Sequence, residues 1–221
     1  KYHPSHGIYT VSPSERGLDL TRKIIPTKNT ENLSLDFFTI AEMLKSKGYV
    51  NAHVGKWHLG EKGHYPKDQG FDVNIGGWES GGPRGGYFSP YSNPNLENGP
   101  DGEYLTDRLT EEAINFIDDN KDSKFFLHLA YYSVHTPIQS KKEYSNYFKN
   151  KPSDKNHYRA DYAGMIRSLD ENVGKVLSKI EELNLTENTL IIFTSDNGGI
   201  RSISNQYPLR AGKGSYYAVS Y

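Results

Sequence analysis

The chain has 221 residues, with 26 Lys and Arg against 27 Asp and Glu, for a formal net charge of -1. That length suits one large domain with a proper core, and the balanced charge excludes nucleic-acid binding by bulk electrostatics. The chain has no cysteine, so disulfides, thiolate metal sites and a cysteine nucleophile are excluded within it. No apolar run approaches the roughly 18 residues that a membrane span needs.

Aromatic residues make up 13%, and 17 of them are Tyr against 9 Phe and 2 Trp. Rings with polar tips suit the walls of polar grooves as well as a core. The first residues carry no initiator Met and no basic-then-apolar leader, so the chain reads as a cut into a longer sequence. The segment Ser12-Pro13-Ser14-Glu15-Arg16 resembles an activated-serine motif only loosely and reads as a loop.

In chain order, the spacing of apolar residues predicts helices over 35–47, 106–120 and 159–183. The first places Phe38, Ala41, Met43 and Leu44 near one side, with Gly48 as a stop. In the third, Tyr162, Met165, Ile166, Leu169, Val173, Val176, Leu177 and Ile180 step by threes and fours along one face. Each helix precedes a short apolar run, YVNAHV at 49–54, FFLHLAY at 125–131 and TLIIFT at 189–194, and each run reads as a buried strand. Helix then strand, three times over, predicts a single α/β domain with a mostly parallel central sheet flanked by helices. Residues 60–102, rich in Gly, Pro and Tyr, read as one long loop, and long loops are commonly functional. Within it the stretch 76–91 (GGWESGGPRGGYFSPY) suits a sugar-binding wall, with Trp78 and Tyr faces to stack on pyranose rings and Arg84 to pair with an anion.

Ligands in open α/β sheets collect at the carboxyl ends of the strands. Gly55-Lys56-Trp57-His58-Leu59-Gly60 follows the first predicted strand, Ser133-Val134-His135-Thr136-Pro137 the second, and Ser195-Asp196-Asn197-Gly198-Gly199 the third. Taken singly, Lys56 and Lys213 suit solvated surface lysines. His58 and His135 would each pass as a hydrogen-bonded loop histidine, and Asp196-Asn197-Gly198-Gly199 as a turn. Together the three strand ends set two imidazoles, one ammonium group and two hard oxygens suited to Ca²⁺ or Mg²⁺ at one edge of a sheet, and Lys213 is a further Gly-flanked lysine on a loop. His53 and His128 fall inside strands and read as packed residues.

GKWHLG at 55–60, HTP at 135–137, SDNGG at 195–199 and GKG at 212–214 stand in the order and spacing of the formylglycine-dependent sulfatases, a branch of the alkaline-phosphatase-like superfamily, and nearly the whole chain resembles them. YRADYAGMIRSLD from Tyr158 and GYFSPYSNP at 86–94 also resemble sulfatases of polysaccharide-degrading bacteria. The resemblance implies that Lys56 contacts sulfate and nucleophile, that His58 accepts the hydroxyl proton of the formylglycine hydrate when the sulfated enzyme breaks down, and that His135 protonates the leaving oxygen. It likewise implies that Lys213 binds the sulfate and shares that acid role, and that Asp196 and Asn197 ligate Ca²⁺ (alternatively Mg²⁺). A C/S-x-P-x-R nucleophile motif is expected before residue 1, together with two more metal-binding aspartates and a central strand. The 221 residues alone are therefore expected to be inactive. The implied substrate is a sulfated carbohydrate or an aryl sulfate, the implied location periplasmic or secreted, with no nucleic-acid partner. A phosphatase or phosphodiesterase of the same superfamily and a non-catalytic carbohydrate-binding relic are the alternative readings.

Overall fold

A computed structural model describes residues 3–9, 28–152 and 159–213. The Ser12–Arg16 segment and Gly214 lie outside them. Chain order runs α1 (His3–His6), α2 (Ile40–Lys45), β1 (Val50–Gly55), a 3₁₀ turn (Pro66–Gln69), β2 (Val73–Ile75), α3 (Leu105–Asp119), β3 (Phe125–Ala130), α4 (Lys142–Lys149), α5 (Ala160–Glu182) and a second 3₁₀ turn (Thr186–Asn188). The three strands form one parallel sheet in the order β2-β1-β3.

β1 is central because both of its faces are buried. Ala52 and Val54 are completely buried, as are Asn51 and His53 between them, and such a strand must be covered on both sides. α3 covers one side with Leu109, Ala113, Phe116 and Ile117, all buried at helical intervals. Trp57, Phe71 and Ala41 close a smaller cluster. The helix α2 is half the predicted length, and the capping chemistry explains why. Thr39 accepts from the Glu42 backbone N at 3.1 Å while Glu42 Oε2 accepts from the Thr39 N at 2.7 Å, a capping box that starts the helix at Ile40. Phe38, Ile40 and Met43 stay exposed.

The region 60–102 is more than a loop. It contributes β2, and Tyr87, Tyr91, Leu96 and Trp78 are all buried. Tyr87 and Tyr91 join Val54, Leu105, Leu109 and Met165 in the main cluster. Their hydroxyls are satisfied inside: Tyr91 donates to Glu103 Oε2 at 2.7 Å and Tyr87 to the Tyr132 carbonyl at 2.7 Å. These rings are core side chains, not faces open to a sugar.

The third predicted strand does not form. Residues 189–194 make no ladder, and Leu190, Ile192 and Phe193 are 86%, 77% and 74% exposed. β-propensity becomes a strand only where a neighbour accepts the ladder. Here an open cavity of about 2270 Å³ separates this run from β3, lined on one side by Phe125, Leu127 and Leu129 and on the other by Leu190 to Phe193. Leu169, Val173, Val176 and Leu177 of α5 also face that cavity. The helix instead packs through Gly164, Ser168 and Asn172, which are buried on its other side, with Asn172 Nδ2 donating to Asp107 Oδ1 at 2.7 Å.

His53 and His128 are ladder partners on β1 and β3. Their Nδ1 atoms lie 3.0 Å apart, and His53 Nε2 is 3.2 Å from the Gly55 carbonyl. A carbonyl only accepts, so Nε2 carries the His53 proton and its Nδ1 accepts from His128. Burial, with His128 beside it, pushes the pKa of His53 down to about 3. His128 is open on the cavity side while its ring stacks on Phe71 with centroids 6.3 Å apart. The unfolded chain takes up the His53 proton near pH 6.5 and the folded chain only near 3, so this contribution is complete above pH 6.5 and lost as pH falls toward 3. Unfolding free energy should therefore drop by up to about 1.4 kcal/mol per pH unit across that window. A denaturant series at pH 7, 6 and 5 checks this, and the slope should flatten in His53→Leu.

Candidate active site

Three backbone hydrogen bonds and one buried tyrosine hydroxyl draw the strand-end loops together. The Lys56 N donates to the Ala130 carbonyl at 2.7 Å, carrying the β1–β3 ladder one residue past the strand. The His58 N donates to the Trp78 carbonyl at 3.0 Å, with His58 itself at φ 57. Few residues other than Gly adopt that left-handed conformation, and such strain concentrates at functional sites. The buried Tyr87 hydroxyl reaches the carbonyls of both Tyr132 and His135, at 2.7 and 2.9 Å. Finally, the Lys213 N donates to the Gly199 carbonyl at 2.9 Å, fastening the Lys213 loop to the Asp196–Gly199 turn.

As a result Lys56, His58, His135, Asp196, Asn197 and Lys213 all line the same cavity. Lys56 and His58 are half-buried, while Asp196 and Lys213 are exposed. The electrostatics report the same proximity. Burial holds the Lys56 ammonium below its ordinary range, with Lys213 adding to the effect and Asp196 opposing it. His58 is pushed down by burial first, then by Lys56, His135 and Lys213. A neutral imidazole among ammonium groups is the state that can take a proton. Two ammonium groups facing one cavity favour an anion there.

Sequence reasoning missed the residues that hold the two histidines. A Cβ on Gly81 would fall on the His58 ring, and one on Gly82 would stand 3.4 Å from His135 Nδ1. Consecutive glycines thus let the 76–85 segment lie flat on both imidazoles; the Gly-Gly pair in the sequence is the only signal of it. Gly81→Ala should lower kcat of the full-length protein by about 10–100-fold through displacement of His58, with the thermal midpoint little changed. Steady-state kinetics and a melting curve on one preparation check both halves.

Asp196 and Asn197 offer hard oxygens, and Asn197 Nδ2 donates to Asp196 Oδ1. In kind these donors fit Ca²⁺ or Mg²⁺; in number they fall short of the six or more oxygens such ions take. No group of three or more His, Asp or Glu able to hold a metal occurs among the described residues. No helix among them is long and apolar enough to cross a membrane.

The parallel α/β sheet carries cationic and imidazole side chains at its strand ends, an arrangement that favours an anion. The sulfatase profile matches residues 2–221, and the chain belongs to that family, within the alkaline-phosphatase-like superfamily. It is 29% identical to a sulfatase of Formosa agariphila over 96% of this chain and 48% of that protein. With the N-acetylgalactosamine-6-sulfatase of Mus musculus it shares 31% identity, over 87% of this chain and 38% of the relative. Among solved structures, Ps i-CgsB in complex with k-i-k-neocarrahexaose superposes with a TM-score of 0.69 at 34% identity, over 86% of this chain and 47% of that one. The chain therefore spans less than half the length of these relatives.

Proposed function

We propose that the full-length protein hydrolyses sulfate esters on a carbohydrate. The observation that carries this reading is the meeting of Lys56, Lys213, His58 and His135 on one cavity, in a chain of the sulfatase family. Sulfate ester cleavage builds negative charge on the non-bridging oxygens and on the departing oxygen. Lys56 and Lys213 stabilise the first as preorganised cations. His135 donates a proton to the leaving oxygen, and Lys213 assists that transfer. His58, kept neutral, accepts the remaining hydroxyl proton of the nucleophile as sulfate is released from it. The nucleophile is a formylglycine supplied from outside these 221 residues, so the 221-residue piece by itself is inactive. Asp196 and Asn197 would hold Ca²⁺ (alternatively Mg²⁺) together with ligands from elsewhere in the protein, and the ion, when bound, would supply Lewis-acid polarisation.

The carbohydrate assignment draws on relatives named for N-acetylgalactosamine-6-sulfate and on a structure holding a neocarrahexaose. The protein acts in the periplasm or outside the cell. The test incubates full-length protein with 4-nitrophenyl sulfate, 4-nitrophenyl phosphate and sulfated oligosaccharides. Inorganic sulfate should appear much faster than phosphate. Preferred release of phosphate would mark a phosphatase of the same superfamily, and binding without turnover a carbohydrate-binding relic; either overturns the proposal.

A further inference from the structure

Arg84 sits on the same cavity as the catalytic candidates, and nothing in them uses it. Its guanidinium carbon lies 4.8 Å from the ring centroid of Trp78, and Trp78 is only 5% exposed. A buried ring under an exposed guanidinium fixes the fork in place without consuming its N–H donors. Arg108 and Arg167, by contrast, are each neutralised by a glutamate, at 2.7 and 2.8 Å. Arg84 has no such carboxylate partner among the described residues. Its main chain is as well fixed as its side chain. Trp78 is tied to His58 through its carbonyl, Gly82 lies against His135, and Pro83 is buried. Two residues of chain span at most about 7 Å, so the Arg84 Cα stays within that distance of Gly82.

We infer that Arg84, mounted on Trp78, is a second anion-binding subsite that reads a carboxylate or sulfate on the sugar next to the one being desulfated. This rests on the sulfatase reading above. Trp78 therefore acts as a support for the arginine, and its covered face leaves the sugar to be recognised by charge. An arginine fork can pair two N–H donors with two oxygens of either anion.

The test uses full-length protein as wild type, Arg84→Ala and Arg84→Lys. Substrates are 4-nitrophenyl sulfate and three sulfated disaccharides whose neighbouring sugar is neutral, carboxylated or sulfated. Losing a hydrogen-bonded charge should cut kcat/KM by about 10–100-fold, mainly through KM, and only for substrates bearing the second anion. Arg84→Lys should recover part of it, and whichever anion loses more is the one read. An equal loss on every substrate, or no loss on any, overturns the inference. If the wild type hydrolyses no sulfate ester, the sulfatase reading fails separately. Calorimetric binding of the same disaccharides then decides Arg84: weaker binding of only the doubly anionic ones supports the subsite, and unchanged binding overturns it.

Discussion

Lys56→Ala in the full-length protein should lower kcat/KM for a sulfate ester by about 10²–10³-fold, the usual effect of deleting one preorganised charge-stabilising donor. Most of the loss should fall on kcat, because an ammonium aimed at developing charge binds the transition state better than the ground state. Stability should change little, since Lys56 belongs to neither apolar cluster. Arginine at this position retains the charge but replaces a compact ammonium by a planar fork, so Lys56→Arg should recover only a minor share. A rise in KM alone, with kcat intact, would place Lys56 at the rim of the site instead.

His58→Ala should cost about 10²–10⁴-fold in kcat, the range for a general acid–base group. The pH dependence gives a sharper signature. Burial, Lys56, His135 and Lys213 all hold the His58 pKa below its ordinary 6.5, so the proton-accepting neutral form persists as pH falls. The acid limb of kcat/KM for the wild type should accordingly begin below pH 6.5, and lower still than for a solvated imidazole. Removing the largest nearby charge moves it back: in Lys56→Ala the limb should shift upward toward 6.5. A pH–rate profile of both proteins checks the direction. A limb that stays put when Lys56 is removed would mean that the two side chains do not share the cavity electrostatically.

Local signals made α3, α5, β1 and β3 readable to within a residue or two. Their apolar spacing is regular, and each strand is a short run bounded by turn residues. The strand-end loops bearing Lys56 and His135 were readable for the same reason, because placement follows once the strand is known. What escaped depends on partners distant in sequence. Residues 189–194 have the composition of a strand and no ladder neighbour. β2 is three residues long, too short for any periodicity. α4 carries the sparse pattern KEYSNYFK, with only Ser145 buried, and has no clean apolar stripe. Tyr87 and Tyr91 look like groove residues by composition, but they are buried because each hydroxyl meets a partner from another part of the chain. Gly81 and Gly82 matter only through what lies opposite them, which no local pattern can display.

Binding of tungstate, a tetrahedral dianion with strong X-ray scattering, to crystals of the full-length protein addresses the placement of the six side chains directly. The ion should sit within hydrogen-bond distance of the ammonium groups of Lys56 and Lys213, with His58 and His135 on either side and Asp196 and Asn197 beyond it. A site occupied elsewhere on the surface, with these six pointing away from one another, would contradict the account.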